Sequence, residues 1–405
     1  MKYLAVAFAA ASLSGAGTPA VAPNDPAWPT EWGPRSTHID ALWARSTGRA
    51  AVVVAVVDTG VAPLADLRGN LVPGWNVVDD DGDTSDDEGH GTWVASVIAA
   101  RGDNHLGAAG YCWRCSVMPV RVATRSSPAT SETIARGIRW AVDHGARVVN
   151  VSMSGSRSDP EENAAVAYAS AHGAVVIASA GNTGDTAQQF PGAADGALAV
   201  AGTDEKGRLY PWSTRGPWVE VAAPGCATII DGRAGATAEG CGSSFAPPAV
   251  AGIAGLLLSL DPKLTAVQVV SALRSSATPV DGIGGGRVDA WRAAAALGLT
   301  AAGTPPPAPP TSDRVVTVLG GAVARTKSVR FAAGAGVVDV QFVAASAVPC
   351  QMQLPVTPSQ VMVAFAGDPR ILSLRARVHA GPYRLTVRCA RPVRFVLTID
   401  RVAES

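Results

Sequence analysis

Residues 51–57 read Ala-Val-Val-Val-Ala-Val-Val and run directly into Asp58, and no other feature restricts the fold of this chain as much. A strand with one face in water alternates polar and apolar side chains, and this run has no polar face. It predicts a strand buried on both sides, inside a parallel sheet covered by helices. Asp58 then stands at the strand's C-terminal end, the rim where open α/β sheets place their chemistry.

Later stretches repeat the pattern. Strands are expected near 117–122, 147–152, 174–180 and 197–202, and helices near 132–144, 160–172, 266–276 and 288–297. Strands alternating with helices of this length predict a parallel sheet between two helical layers. Residues 23–50, which carry Trp28, Trp32 and Trp43 with turn signals at Gly33-Pro34 and Thr47-Gly48, read as an extended arm packed on that domain.

Four stretches carry chemistry-bearing residues in small-residue settings. Asp58-Thr59-Gly60 ends the first strand, and His90-Gly91-Thr92 opens an apolar helical segment. Asn182 follows Ala180-Gly181 at the end of a later strand, and Ser244 lies in Gly242-Ser243-Ser244-Phe245-Ala246-Pro247-Pro248, ahead of an apolar helix. A serine at a helix mouth faces unpaired N–H groups and the positive end of the helix dipole, which favours developing negative charge. Prolines are tolerated in a first helical turn, so Pro247 and Pro248 agree with a helix beginning near Ser244.

Taken in order, these motifs resemble the subtilases, the subtilisin-like serine endopeptidases, over about residues 32–297. The resemblance implies a three-layer α/β/α fold and a triad of Asp58, His90 and Ser244 in the chain order Asp, His, Ser. In that triad Ser244 attacks the scissile carbonyl, His90 accepts and returns the proton, and Asp58 orients the imidazole. Asn182 is implied as a donor to the oxyanion. The substrate-binding edge is implied at Ser152, Met153, Ser154 and Gly155, against which a polypeptide adds as a further strand, with Ala180 and Gly181 walling a pocket for a sizeable apolar side chain. Departures from the family pattern are Trp93, Ser243, Phe245 and a glycine-free Thr124–Ser131 loop; they bear on pocket shape and leave the catalytic groups in place.

Seven acids fall within residues 79–88. The run suits a solvated loop, and the alternation Asp79, Asp81, Asp83 around Gly82 also suits a hard cation such as calcium, which takes many oxygen ligands. Asp66, eight residues after Asp58, and the 102–107 loop resemble positions where subtilases hold structural calcium. The six cysteines are even in number, as in exported proteins, and the pairing expected is Cys112–Cys115, Cys226–Cys241 and Cys350–Cys389. A zinc site at Cys112–Cys115 is not expected, because no second pair at metal spacing completes it.

The two ends of the chain differ from its middle. Lys2, an apolar run over residues 3–13 and Ala20-Val21-Ala22 form a secretory signal peptide pattern, so the protein is expected to be released outside the cell with no transmembrane segment. Only the short arm then separates Ala22 from the Asp58 strand, where many secreted subtilases carry a long folding propeptide. Residues 301–313 form a proline-rich, stiff linker. From Arg314 onward the pattern has period two, with twelve Lys/Arg against four Asp/Glu, which reads as a small basic β-sandwich.

The expected organisation is a signal peptide over 1–22, a peptidase domain over 23–300 with its arm at 23–50, the linker, and an all-β sandwich over 314–405. Zero net charge over 405 residues argues against nucleic acid as a partner. Polypeptides are the expected substrates, and the basic domain offers association with anionic cell-surface polymers. A competing reading is a binding protein that retains the fold without activity. Esterase chemistry is disfavoured, because the serine lacks the Gly-x-Ser-x-Gly elbow.

Overall fold

The computed structural model describes residues 20–230 and 237–300, together with strands between residues 314 and 403. The segment before Ala20 and the 301–313 linker lie outside the described residues. Short helices α1 (Trp32–Ser36) and α2 (Ile39–Trp43) precede the first long strand, β1 (Val53–Asp58). The chain continues through β2 (Trp75–Asn76), α3 (His90–Ala99), β3 (Ser116–Arg121), α4 (Ser131–Asp143), β4 (Val148–Val151), α5 (Pro160–Ala171), β5 (Val175–Ser179), β6 (Ala197–Thr203) and β7 (Val221–Pro224). A hairpin of β8 (Cys226–Ile230) and β9 (Thr237–Cys241) leads to α6 (Ala246–Leu260), α7 (Ala266–Ser275), β10 (Thr278–Pro279), β11 (Gly286–Arg287) and α8 (Ala290–Ala296).

Nine of these strands form one sheet in the order β10-β11-β7-β6-β5-β4-β1-β3-β2, parallel throughout except for the β10–β11 pair. β1 sits between β3 and β4, and Val54, Ala55, Val56 and Val57 have no exposure. Each face of the sheet carries its own apolar cluster. On one side Val54 and Val56 pack with Val94, Ile98, Ile253 and Leu257 of α3 and α6; on the other Ala55 and Val57 pack with Ile134, Ile138, Val166 and Ala169 of α4 and α5. The three-layer expectation and the mainly parallel sheet are therefore observed.

Local chemistry explains the element ends. A capping box between Thr130 and Thr133 starts α4, and the Asp159 carboxylate caps α5 ahead of Pro160. Among the described residues only Ser243–Leu260 is long and apolar enough to cross a membrane, and 89% of it is buried inside the fold. It is the central helix of a layered domain, apolar all round because it is surrounded.

The arm packs on the domain as expected, but as helical turns and not as extended chain. Trp43 is buried, donates from Nε1 to the Tyr111 carbonyl at 3.1 Å and stacks obliquely on Trp28 and Trp113. Val21 donates its N–H to the Asp40 carbonyl at 3.0 Å and packs on the core, although the cleavage expected after Ala22 would remove it.

From Arg314 the strands pair into two four-stranded sheets: β12 (Arg314–Val323), β19 (Val393–Ala403), β14 (Gly336–Ala344) and β17 (Ile371–Val378) in one, and β13 (Thr326–Ala333), β18 (Gly381–Cys389), β15 (Cys350–Thr357) and β16 (Gln360–Phe365) in the other. Disulfides Cys112–Cys115 and Cys226–Cys241 are present as expected. Cys389 is also disulfide-bonded, and the strand register sets Cys350 opposite it.

Candidate active site

Asp58 ends β1, and His90 is the first residue of α3. Asp58 Oδ1 accepts the Thr59 N–H at 2.8 Å and lies 2.7 Å from His90 Nδ1, with no exposure of the carboxylate. The approach of α3 to β1 depends on glycine. A Cβ on Gly91 would collide with the Gly60 carbonyl and press on Asp58 Cβ. Gly60 has φ +103°, a conformation that L side chains rarely adopt, and a Cβ there would strike the Thr84 and Ser85 carbonyls.

Asp86, one of the acids in the 79–88 run, holds this corner together. Its Oδ1 accepts from Thr59 Oγ1, Glu88 N and Gly89 N at 2.9, 3.1 and 2.7 Å, and its Oδ2 from Thr92 N and Thr92 Oγ1 at 2.9 and 2.5 Å. Thr59 Oγ1 in turn accepts from Gly91 N at 2.9 Å. One carboxylate therefore caps α3 and ties the end of β1 to the residues on both sides of His90. Its sequence signal is an acid four residues before a histidine that opens a helix.

Burial by itself would lower the pKa of the His90 imidazole. The adjoining Asp58 carboxylate outweighs that, helped by Glu88 and Asp86, and holds the imidazole above its ordinary value.

Ser244 lies in a single 3₁₀ turn, Ser243–Phe245, that leads into α6. Its carbonyl accepts from Ser152 Oγ at 2.8 Å, and Ser243 Oγ is 2.6 Å from Ser179 Oγ, so the turn is pinned to the ends of β4 and β5. The ring of Phe245, the next residue, stands 6.2 Å from that of His90. Asn182 Oδ1 accepts the Ser243 N–H at 2.8 Å, which leaves the amide nitrogen as the end free to donate. Ser244 Oγ has no hydrogen-bond partner among the described residues; contacts of this kind often tighten only when substrate is bound.

His90, Ser152, Asn182 and Ser244 line one open cleft of about 740 Å³, with Met153, Ser154, Gly155, Ser179, Thr183 and Glu162. Two expectations for its walls change. Gly155 exchanges both backbone hydrogen bonds with Phe190, so the edge available for pairing is Ser152 to Ser154. Ala180 is buried behind the wall against Ala201, Val219 and Ala222, whereas Gly181 packs directly against the cleft residues Gln189 and Ser154, with its carbonyl accepting from Thr214 N. Ser179, Asn182 and Thr183 line that side of the cleft. The Thr124–Ser131 loop contributes Pro128, Ala129, Thr130 and Ser131.

The candidate metal ligands fall into two places. Asp79, Asp81 and Asp83 are exposed and do not gather into a three-ligand cluster; they accept from Asn76 Nδ2, Asp83 N and Ser85 N respectively, as a solvated turn does. Asp66 is buried under the 102–108 loop, where its Oδ1 accepts from Asn104 Nδ2 and its Oδ2 from Ala108 N. Two further buried acids share this region, Asp25, which accepts from Asp103 N, and Glu31, which accepts from Ala109 N. Burial raises the pKa of all three, Glu31 to about 8 and Asp66 to about 6, and Asp25 raises both of its neighbours further by repulsion. Their oxygens do not gather into a three-ligand cluster either, so a cation beside Asp66 would need further oxygen ligands.

With this geometry established, the chain can be set beside known proteins. The sequence model of the subtilase family matches residues 49–303. Thermitase from Thermoactinomyces vulgaris is 38% identical over 277 residues, which cover 67% of this chain and 98% of thermitase. The thermophilic serine proteinase of a Bacillus species, strain AK1, is 34% identical over 65% of this chain and 66% of its own length. Among solved structures, a protease from Pseudoalteromonas arctica superposes with a TM-score of 0.61 at 30% identity, covering 68% of this chain and 99% of that one.

Proposed function

The chain belongs to the subtilase family of serine endopeptidases, and on that premise we propose that it is a secreted enzyme that cleaves polypeptides through an acyl-enzyme formed on Ser244. The observation that carries the reading is the buried Asp58 carboxylate 2.7 Å from His90 Nδ1, beside a serine at the mouth of α6. An imidazole held by that carboxylate presents Nε2 to the cleft, where it takes the Ser244 proton as Oγ attacks the carbonyl and returns it to the leaving amine. The oxyanion is received by the Asn182 amide and the Ser244 N–H, and loss of one such donor lowers the rate about 100- to 1,000-fold. Water then repeats the sequence on the ester. An extended substrate pairs with Ser152 to Ser154, which accommodates many sequences.

Calcium is proposed as a structural ion under the 102–108 loop, held by Asp66 with help from Asp25 and Asn104; it would supply charge balance there and no catalytic step. Export is supported by the signal-like first residues and by relatives named as extracellular proteases. Residues 314–405 are read as a separate β-sandwich whose positive balance suits anionic cell-surface polymers. Deleting it should abolish retention on such surfaces at low salt.

The test of activity is hydrolysis of an unfolded protein by the wild type and by Ser244→Ala. Cleavage that disappears with the substitution supports the reading. Equal cleavage by both would end it.

A further inference from the structure

Helix α5 begins with two glutamates that meet opposite fates. Glu161 is exposed, whereas Glu162 is 2% exposed and stands first in the buried stripe Glu162, Ala165, Val166, Ala169. An acid at the head of an i, i+3, i+4, i+7 stripe is where an apolar residue belongs. No group among the described residues donates a hydrogen bond to its carboxylate, whose oxygens open on the cleft while the rest of the side chain is covered. Glu162 is also a wall of the cleft that holds His90 and Ser244.

The surroundings fix what can satisfy it. α5 belongs to the layer whose apolar cluster includes Ile134, with Met153, Ala129 and Phe190 packed against it, while α3 and α6 belong to the opposite layer. Glu162 therefore faces the cleft from across the sheet rim, opposite the catalytic corner. Among the described residues the cleft wall contains no lysine or arginine, and its other acid, Glu88, interacts with His90. Burial, with repulsion from Asp159, raises the Glu162 pKa to about 7, as expected for an acid without a cation beside it.

The geometry points to Glu162 as the receptor for a lysine or arginine side chain of the polypeptide substrate, a specificity determinant distinct from the residues that perform the chemistry. The inference rests on the peptidase reading above. An extended peptide along Ser152 to Ser154 sends alternate side chains to opposite sides, so one fixed substrate position meets this wall. A basic group there would complete a charge-assisted hydrogen bond that the protein alone leaves open.

The experiment maps every bond cut in a digest of unfolded proteins by mass spectrometry, for the wild type, Glu162→Gln and Glu162→Leu, with folding checked by circular dichroism. The wild type should enrich lysine and arginine at one fixed distance from the cut bond. In matched peptides the preference in kcat/KM for lysine over glutamine at that position should fall about 10- to 100-fold in Glu162→Gln. Glu162→Leu should shift the preference towards apolar residues at the same position. A wild type without basic enrichment at any position, or a Glu162→Gln enzyme that keeps it, overturns the inference and leaves the peptidase intact. A folded wild type that cuts no bond removes the peptidase reading and the inference with it.

Discussion

His90 Nδ1 and Asp58 Oδ1 stand 2.7 Å apart, and the Asp58 carboxylate has no exposure. Its second oxygen, Oδ2, is buried without a partner among the described residues, so the carboxylate's interactions are concentrated on the imidazole and the Thr59 N–H. An imidazolium formed during reaction is stabilised in place, because low-polarity surroundings strengthen the pairing.

The pairing predicts the pH dependence. The folded His90 pKa lies above its ordinary value because Asp58 outweighs the effect of burial. The imidazole therefore stays protonated to higher pH, and the acid limb of kcat/KM should lie above pH 6.5, the ordinary histidine value. Asp58→Asn should lower kcat about 10,000-fold and move what remains of that limb to lower pH. Glu88→Gln should move it the same way by a smaller amount. A wild-type limb below pH 6 would contradict the assignment.

Asp86 should act through position. Removing its carboxylate in Asp86→Ala leaves the Gly89 and Thr92 N–H groups without their acceptor, at a cost of about 1–3 kcal/mol in stability. The same loss loosens His90, so kcat should fall by more than KM rises, and Asp86→Asn should recover part of both. Urea unfolding in a Ser244→Ala background, which prevents autolysis, separates the two effects. An Asp86→Ala enzyme with wild-type kcat would remove the positioning role.

The meeting of Asp58 with His90 at one corner was legible in the sequence and its supports were not, for a physical reason. Asp58, His90, Asn182 and Ser244 each sit at an element end beside glycine or serine, and that local setting is written in consecutive residues. Asp86 is one more acid in a solvated run until the run turns into α3: four of its five hydrogen bonds go to Glu88, Gly89 and Thr92 at that turn, and the fifth comes from Thr59, which only the fold brings near. Glu162 carries no local signal of its own, and its place on the stripe emerges only when α5 is set in register with Ala165 and Val166. Ala180 turns away from the cleft into a buried cluster with Ala201 and Ala222, which its place at a strand end does not announce. The arm read as extended because its tryptophans and prolines hide turns too short for periodicity to register.

Calcium removal should destabilise the protein. Asp25, Glu31 and Asp66 repel one another in a buried space, and a divalent cation offsets that repulsion. Excess EDTA should lower Tm, calcium should restore it, and Asp66→Asn should reduce the difference. Coincident melting curves with and without calcium would remove the ion from this account.

The Cys226–Cys241 disulfide closes the hairpin that delivers Gly242 and Ser244, with Gly242 N donating to the Gly225 carbonyl at 2.9 Å. Replacing both cysteines by alanine should cost about 3 kcal/mol by the loop-entropy estimate. It should also slow acylation, because the serine turn loses an anchor. Urea unfolding in the Ser244→Ala background checks the first effect, and single-turnover kinetics in the active enzyme check the second.

Fluorophosphonate labelling, with the adduct located by peptide mass spectrometry, tests whether Ser244 is a nucleophile activated by His90. One adduct is expected, on Ser244, absent in Ser244→Ala and slowed in His90→Ala. A folded wild-type protein that takes no label, or takes it on another serine, would contradict it.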